Sequence, residues 1–422
     1  MTAKASLPSE LLATSKLKLV HLEVTSKCNL RCTYCAVSQP EYKGYDLNVS
    51  NLPGIVADLK RLGAETISLN GHGETTFHND WKDVFEAIVG NFPRTEITTN
   101  LARNYSDEEI ELLSRVDVIT VSLDTPDPVL LKDTRRHVDL GVVLTNIARI
   151  RGAARHRPAA KSETDHRPGY MKLLGVDPAV APDVISATGT DPYWAHNAYR
   201  ITPRFMFSCV VHDKNVLTLP ALAHLAVAVN VSHVIFCNMT KYKDLPGVVN
   251  VQPVSSLSDT DALIAARESL KLAEGILLRN GLHPDVQDSL PASIDEAIAN
   301  SWRKKAAPRP LTIATVKQPH AALLSAQRNF RMPEKGETRD CLDPWNFSII
   351  YATGKVAPCC WHDSMYTLGK DGSLLDILSA EKTVKLRKQL LTGRLNKFCK
   401  TCPARGLTTT DDLREKVAAR DD

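Results

Sequence analysis

From residue 18 to about residue 240, short apolar runs alternate with amphipathic stretches. Residues 18–25 (LKLVHLEV) predict a first strand. Ile55, Val56, Leu59 and Leu62 share one face of a helix that begins near Pro53 and stops at Gly63. A strand over Thr66–Asn70 follows, then a helix with the apolar stripe Trp81, Val84, Phe85, Ile88 and Val89, then a strand over Glu96–Thr99. Ser106 and Glu109 have capping-box spacing for the next helix. Asp117–Leu123 is almost continuously apolar, the pattern of a strand covered on both faces, and a helix through Val142, Val143, Ile147 and Ile150 comes after it. Phe205–Val211 and His233–Cys237 predict two more buried strands around a helix over Pro220–Val229. Six strand–helix steps of this kind predict an α/β fold, a parallel sheet closed part-way into a (β/α)6 TIM-like barrel. In such folds ligands gather at the C-terminal ends of the strands.

The pattern breaks twice. Residues 151–204 are too long for a routine connection, and their first part is rich in Arg, His and Pro. They read as a surface insertion, or as a lid whose basic residues meet an anionic group. Beyond the barrel, Leu263, Ala266, Leu270, Ala273 and Leu277 mark a helix ending at Gly281, and a Pro- and Lys-rich stretch (Lys304–Pro310) leads to a last unit. There Asn346–Tyr351, the turn Ala352-Thr353-Gly354 and Lys355–Ala357 predict a β-hairpin inside a small, Cys-rich α+β domain. The expected division is an extension over 1–17, the barrel over 18–245, a helical connector and linker over 246–335, and the Cys-rich domain over 336–422.

Composition narrows the function. No window reaches the roughly 18 consecutive apolar residues of a membrane span, and the N-terminus lacks the apolar run of a signal peptide, so a cytoplasmic protein without a membrane partner is expected. A net charge of +4 is too small to argue for nucleic acid. Ten cysteines are more informative, because cytoplasmic thiols stay reduced, and seven of them fall into two groups with ligand-like spacing.

Cys28, Cys32 and Cys35 follow C-x3-C-x2-C directly after the first strand. Thiolates are soft ligands suited to iron–sulfur clusters or zinc, and three of them on one loop leave a fourth metal position open for chemistry. A zinc knuckle would want a fourth Cys or His nearby, and none is close in sequence. The run resembles the radical S-adenosylmethionine (SAM) superfamily. Tyr34 stands at the aromatic position that packs against adenine in that family, and Gly71-His72-Gly73-Glu74 follows the second strand as the family's Gly-Gly-Glu segment does. The resemblance implies that Gly71, Gly73 and Glu74 receive the methionine ammonium. It also implies that Thr99 and Asn100, with Ser122 and Asp124, surround the methionine carboxylate and ribose hydroxyls. His72 departs from the commonest form and reads as a loop histidine.

Cys341, Cys359, Cys399 and Cys402 form the second group, with Cys360 beside Cys359 and with Cys399 and Cys402 as a C-x2-C hook. The segment resembles the SPASM and "twitch" extensions of the same superfamily. That implies one auxiliary 4Fe–4S cluster on Cys341, Cys359, Cys399 and Cys402, beside the SAM-binding 4Fe–4S cluster on the first three cysteines. The Gly354-x4-Cys359 spacing favours Cys359 over Cys360 as ligand.

The implied activity is reductive cleavage of SAM to a 5′-deoxyadenosyl radical, which removes hydrogen from a substrate C–H bond. A hydroxylated small molecule (a sugar or aminocyclitol) is the first expected substrate. The extension of about twenty residues before the first strand is short for a leader-binding domain, which makes a ribosomally made peptide the second. A flavodoxin or ferredoxin is the expected electron donor. A non-catalytic zinc-binding scaffold is the alternative from another class. Cys209 and Cys237, both in predicted strands, read as packing, or with Cys209 foremost as a hydrogen donor to a substrate radical.

Overall fold

The structure is a computed structural model, and it describes residues 7–14, 16–155, 203–239, 251–305, 332–402 and 405–420. Residues 156–202 of the expected insertion and 306–310 of the Pro- and Lys-rich stretch lie outside the described residues. The chain divides into two compact units, one of residues 1–28, 43–95 and 308–422, the other of residues 29–42 and 96–307.

In chain order the strands are β1 (Leu19–Leu22), β2 (Arg31–Cys32), β3 (Thr66–Leu69), β4 (Arg94–Thr99), β5 (Val118–Ser122), β6 (Arg135–Arg136) and β7 (Arg204–Val211). They continue as β8 (His233–Asn238), β9 (His283–Val286), β10 (Glu337–Arg339), β11 (Phe347–Ile350), β12 (Lys355–Ala357), β13 (Tyr366–Thr367) and β14 (Leu407–Thr409).

In the first unit β1 lies between two parallel partners, β3 and β11, with Leu22 opposite both Leu69 and Ile350. The expected hairpin is present, with β12 antiparallel to β11 and β13 to β12. Gly354, at φ +75°, makes the turn, and its N–H donates to the Tyr351 carbonyl at 2.8 Å. Placing β11 directly on β1 was not legible beforehand: the hairpin read as part of a separate domain. Helix Leu52–Arg61 buries Leu52, Ile55 and Leu59, each such side chain contributing roughly 1.5–3 kcal/mol when fully buried. Gly63, at φ +59°, follows its end.

The second unit carries β4, β5, β7, β8 and β9 in that order, all parallel. Helix Asp107–Leu113 opens on the predicted capping box of Ser106 and Glu109. Strand β9 escapes a sequence reading because it contains Pro284, which lacks the ladder N–H; it sits at the sheet edge, where proline is tolerated. Along β7 the buried positions are Phe205, Phe207, Cys209 and Val211, alternating with half-buried ones. In β8 the buried positions are Val234 and Phe236, so Cys237 stands on the half-buried side. The two strand cysteines therefore face opposite ways.

Candidate active site: two cysteine groups and the side chains that hold them

In the first unit the chain leaves β1 through Glu23-Val24-Thr25-Ser26-Lys27 to reach Cys28. The segment Gly71–Glu74, at the end of β3, lies against this stretch. The Glu74 N–H donates to the Lys27 carbonyl at 2.8 Å. A Cβ on Gly73 would collide with the carbonyl oxygens of Thr25 and Lys27, and one on Gly71 with the Glu23 side chain. Both glycines are needed for close approach rather than for backbone conformation. Glu74 is 3% exposed, and its carboxylate accepts from the Thr76 hydroxyl at 2.9 Å, turning the chain into a short 3-10 helix.

Glu23 was not a sequence candidate, although a carboxylate ending an apolar strand is a signal. It is 3% exposed. One oxygen accepts from the His72 N–H at 2.8 Å and lies 3.1 Å from His72 Nδ1; the other accepts from the Ala352 N–H at 3.0 Å. Burial alone would push this carboxyl up, but the hydrogen bonds from His72 and Ala352 outweigh it and hold it below the ordinary value. In turn the hydrogen bond to Glu23 raises His72 against the effect of burial. The His72 ring stacks on Tyr351 at 6.4 Å between centroids. His72 is thus a fixed, carboxylate-paired histidine at the end of β3.

In the second unit Cys32 lies in β2, opposite Arg135 of the antiparallel β6. The Cys35 N–H donates to the Cys32 carbonyl at 3.1 Å. Asp124, fully buried, gathers this loop. Its Oδ2 accepts from the Tyr34 hydroxyl at 2.5 Å and Arg135 Nε at 2.7 Å, and its Oδ1 from Arg135 Nη2 at 2.9 Å and the Val210 N–H at 2.9 Å. Burial would raise this carboxyl, but Arg135 and Tyr34 hold it below the usual range. A carboxylate has about four acceptor positions, and all are taken by protein. In this arrangement Asp124 anchors the loop between Cys32 and Cys35. Arg135, which sequence reasoning missed, is its charge partner, and burial pushes the Tyr34 hydroxyl well above its ordinary pKa.

Thr99 and Asn100 close β4. Thr99 is buried and its hydroxyl accepts from the Leu101 N–H at 3.2 Å; Asn100 donates to Asn29 at 2.8 Å, next in sequence to Cys28. Ser122 is half-buried and paired in register with Ser208. Cys209 is fully buried and its thiol donates to the Asp124 carbonyl oxygen at 3.4 Å. Burial and that hydrogen bond favour the packing reading of Cys209 over the hydrogen-donor one, and the strand's alternation turns it inward.

The second cysteine group surrounds a cavity in the first unit. Cys341, Cys359, Cys360, Cys399 and Cys402 all line it, with Arg339 and Asp343 among their neighbours. Among the described residues no three His, Cys, Asp or Glu side chains converge as one metal ion would require; these sulfurs ring a space instead. Burial pushes Cys359 up to about 11 and Cys399 to about 12, so iron loaded here displaces protons. Five cysteine sulfurs around a largely apolar hollow, with Asp343 and His362 also on its wall, fit an iron–sulfur cluster. Arg339, 1% exposed, ties the hook in place: it donates to the carbonyls of Cys399 at 2.9 Å, Lys400 at 2.6 Å and Arg405 at 3.1 Å. Trp345 closes the packing beneath, fully buried, with its indole N–H on the Leu11 carbonyl at 2.8 Å.

Comparison with known proteins agrees with both groups. Residues 22–163 match the radical SAM superfamily and residues 341–403 an iron–sulfur cluster-binding domain, SPASM. A GTP 3′,8-cyclase of Mannheimia succiniciproducens is 33% identical over 114 residues, 26% of this chain and 34% of the relative. A probable GTP 3′,8-cyclase of Archaeoglobus fulgidus is 36% identical over 114 residues, 26% of this chain and 36% of the relative. The matches span about a third of the length of these relatives. Among solved structures, Streptococcus suis SuiB bound to S-adenosylmethionine is similar with a TM-score of 0.54 at 14% identity, covering 90% of this chain and 69% of that one. SuiB bound to the precursor peptide SuiA gives a TM-score of 0.53 at 14% identity, covering 89% and 68%. These likenesses show a shared fold, mixed α/β with a largely parallel sheet.

Proposed function

We infer, from a chain that carries a radical SAM domain and a SPASM iron–sulfur cluster-binding domain, that this protein is an enzyme modifying a substrate at a C–H bond. One observation carries the reading: the two family matches fall on the two cysteine groups, the first containing Cys28, Cys32 and Cys35 and the second running from Cys341 to just past Cys402.

When bound, the SAM-binding 4Fe–4S cluster supplies the electron that cleaves SAM to a 5′-deoxyadenosyl radical, the species that takes hydrogen from substrate. The protein's part is to hold and to orient. Cys28, Cys32 and Cys35 would be the protein ligands of that cluster. Gly71 and Gly73 keep the 71–74 backbone hard against the approach to Cys28, and Glu74 and the loop carbonyls would receive the methionine ammonium. Thr99, Asn100 and Ser122, at the ends of successive strands, offer polar groups to the carboxylate and ribose. Asp124 and Arg135 fix Tyr34 and with it the cysteine loop. Cys341, Cys359, Cys399 and Cys402 hold the auxiliary 4Fe–4S cluster, whose full set of protein ligands suits electron transfer rather than substrate ligation.

Two substrate classes stand. A ribosomally made peptide is supported by the fold-level likeness to a protein solved with its precursor peptide. A hydroxylated small molecule suits the two-electron oxidation that an electron-accepting auxiliary cluster would serve. Fold alone does not choose. Incubating the reconstituted enzyme with uniformly deuterated candidates from each class tests the reading. Deuterium appearing in 5′-deoxyadenosine from one class identifies the substrate; its absence from both removes both proposals.

A further inference from the structure

Residues 7–14, which precede the first strand, are bound to the Cys-rich end of the chain within the first unit. Four consecutive carbonyls of this segment accept from side chains at least 334 residues further on. The Leu11 carbonyl takes the Trp345 indole N–H at 2.8 Å and the Leu12 carbonyl takes Arg387 Nη1 at 2.7 Å. Those of Glu10 and Ala13 both take Arg420 Nη2, at 2.9 and 3.2 Å. They belong to the 3-10 turn Glu10–Leu12 and the residue after it, where a helix runs out of its own N–H donors. The apolar side of the segment is used too. Leu7, Leu11 and Leu12 pack on the cluster of Trp345, Leu390 and Leu413, and Cys341 and Cys399 pack on that same cluster.

One buried charge joins this segment to the cavity wall. Pro344, Leu386 and Leu390 line the hollow that the cysteines ring. Arg387, fully buried, stands on the helix Glu381–Leu391 that carries both leucines. Its Nε and Nη2 donate to the Pro344 carbonyl at 2.9 and 2.8 Å, and Nη2 also donates to the Thr14 hydroxyl at 3.0 Å. Among the described residues no carboxylate pairs with it, and burial, with Arg420 nearby, brings it down to about 10. A buried cation held only by carbonyls and a hydroxyl is costly to leave without them. With Leu12 and Thr14 gone, the guanidinium must turn toward water, which frees the Pro344 carbonyl and pulls on the helix behind Leu386 and Leu390. Apolar packing alone could close over a missing segment; a stranded charge could not.

We propose that residues 7–14 are a strap that closes the second cysteine pocket from behind, so that iron stays on Cys341, Cys359, Cys399 and Cys402 only while the strap is docked. The surface formed by Trp345, Arg387, Leu413 and Arg420 thus has a defined occupant, the chain's own N-terminal segment. The proposal rests on the cluster reading given above and adds the segment on which loading of that site depends.

The test compares the full chain with one lacking residues 2–14, both reconstituted with iron and sulfide. Truncation is expected to lower bound iron by about half, the share of one cluster in two. It should remove the auxiliary signal in electron paramagnetic resonance while SAM binding in equilibrium dialysis stays as in wild type. A synthetic peptide of residues 1–17, added in excess before reconstitution, is expected to restore the lost iron. Leu11→Ser/Leu12→Ser keeps the backbone carbonyls and guards against a truncated chain that does not fold. A chelator should strip auxiliary iron from this variant about tenfold faster than from wild type. Full auxiliary iron in the truncated chain, equal losses at both sites, or a wild-type stripping rate in the double variant overturns the proposal. So does a folded truncated chain that the peptide leaves unrestored. A chain whose iron does not fall in Cys399→Ala/Cys402→Ala holds no auxiliary cluster, which overturns the reading beneath the proposal and the proposal with it.

Discussion

Glu23 accepts two hydrogen bonds from His72 on one carboxylate oxygen, from the backbone N–H at 2.8 Å and from ring Nδ1 at 3.1 Å. Because the carboxyl is held ionised, Nδ1 must be the donor and Nε2 the nitrogen that titrates. Glu23 lies below its ordinary 4.5 when folded, so its contribution is complete above 4.5 and is lost as pH falls through the folded value. His72 lies above its ordinary 6.5, so its contribution is complete below 6.5 and is lost as pH rises through the folded value. The pair stabilises most between 4.5 and 6.5. Thermal melts of wild type and Glu23→Gln across pH should differ most in that window, converge as pH falls below it, and narrow to the part due to Glu23 alone as pH rises above it. A gap that is constant with pH contradicts the pairing.

The two glycines of the 71–74 segment should not be equally sensitive. A methyl group on Gly73 meets backbone carbonyls that cannot move without displacing the approach to Cys28, whereas one on Gly71 meets a side chain. Gly73→Ala is expected to abolish SAM binding in equilibrium dialysis, and Gly71→Ala to weaken it while disturbing the Glu23–His72 pair. Near-normal binding by Gly73→Ala would show that the close approach is dispensable.

Asp124 and Arg135 form a buried ion pair, 2.7 Å apart. Removing one partner strands the other charge, at a cost of roughly 3–5 kcal/mol. Asp124→Ala should therefore cost far more in urea unfolding than Tyr34→Phe, which removes one hydrogen bond worth roughly 1–3 kcal/mol. Iron bound through Cys32 and Cys35 should fall along with stability in Asp124→Ala. Equal effects of the two substitutions would mean that Asp124 does not organise the loop.

Arg339 predicts the behaviour of the second group. Among the described residues it donates to three carbonyls around Cys399 and Cys402, so Arg339→Met should lower the iron bound at the auxiliary site and leave the first site loaded. Cys359→Ala should do the same, and Cys360→Ala should not. Iron and sulfide analysis with electron paramagnetic resonance of each variant separates these outcomes. Loss of iron in Cys360→Ala alone would exchange the ligand assignment.

Much of this was legible in the chain because local rules set it. The capping box of Ser106 and Glu109, the stop at Gly63 and the turn at Gly354 each depend on a few adjacent residues. The Cys28, Cys32, Cys35 spacing and the Gly71–Glu74 segment were visible for the same reason. What escaped depends on contacts distant in sequence. Asp124 looked like a strand-end polar group because its partner Arg135 returns through β6, and nothing local announces that pairing. Glu23 reaches Ala352, across most of the chain. Cys209 and Cys237 look alike in strongly apolar strands, and only the register of the alternation separates the inward thiol from the half-buried one.

The most direct test of the account is anaerobic. The chain is reconstituted with iron and sulfide, supplied with SAM and dithionite, and assayed for 5′-deoxyadenosine. The account predicts steady formation of that product, its disappearance when Cys28, Cys32 or Cys35 is changed to Ala, and its persistence when Cys399 and Cys402 are changed. Zinc in place of iron at the first three cysteines, or a loaded cluster that leaves SAM intact, would contradict it.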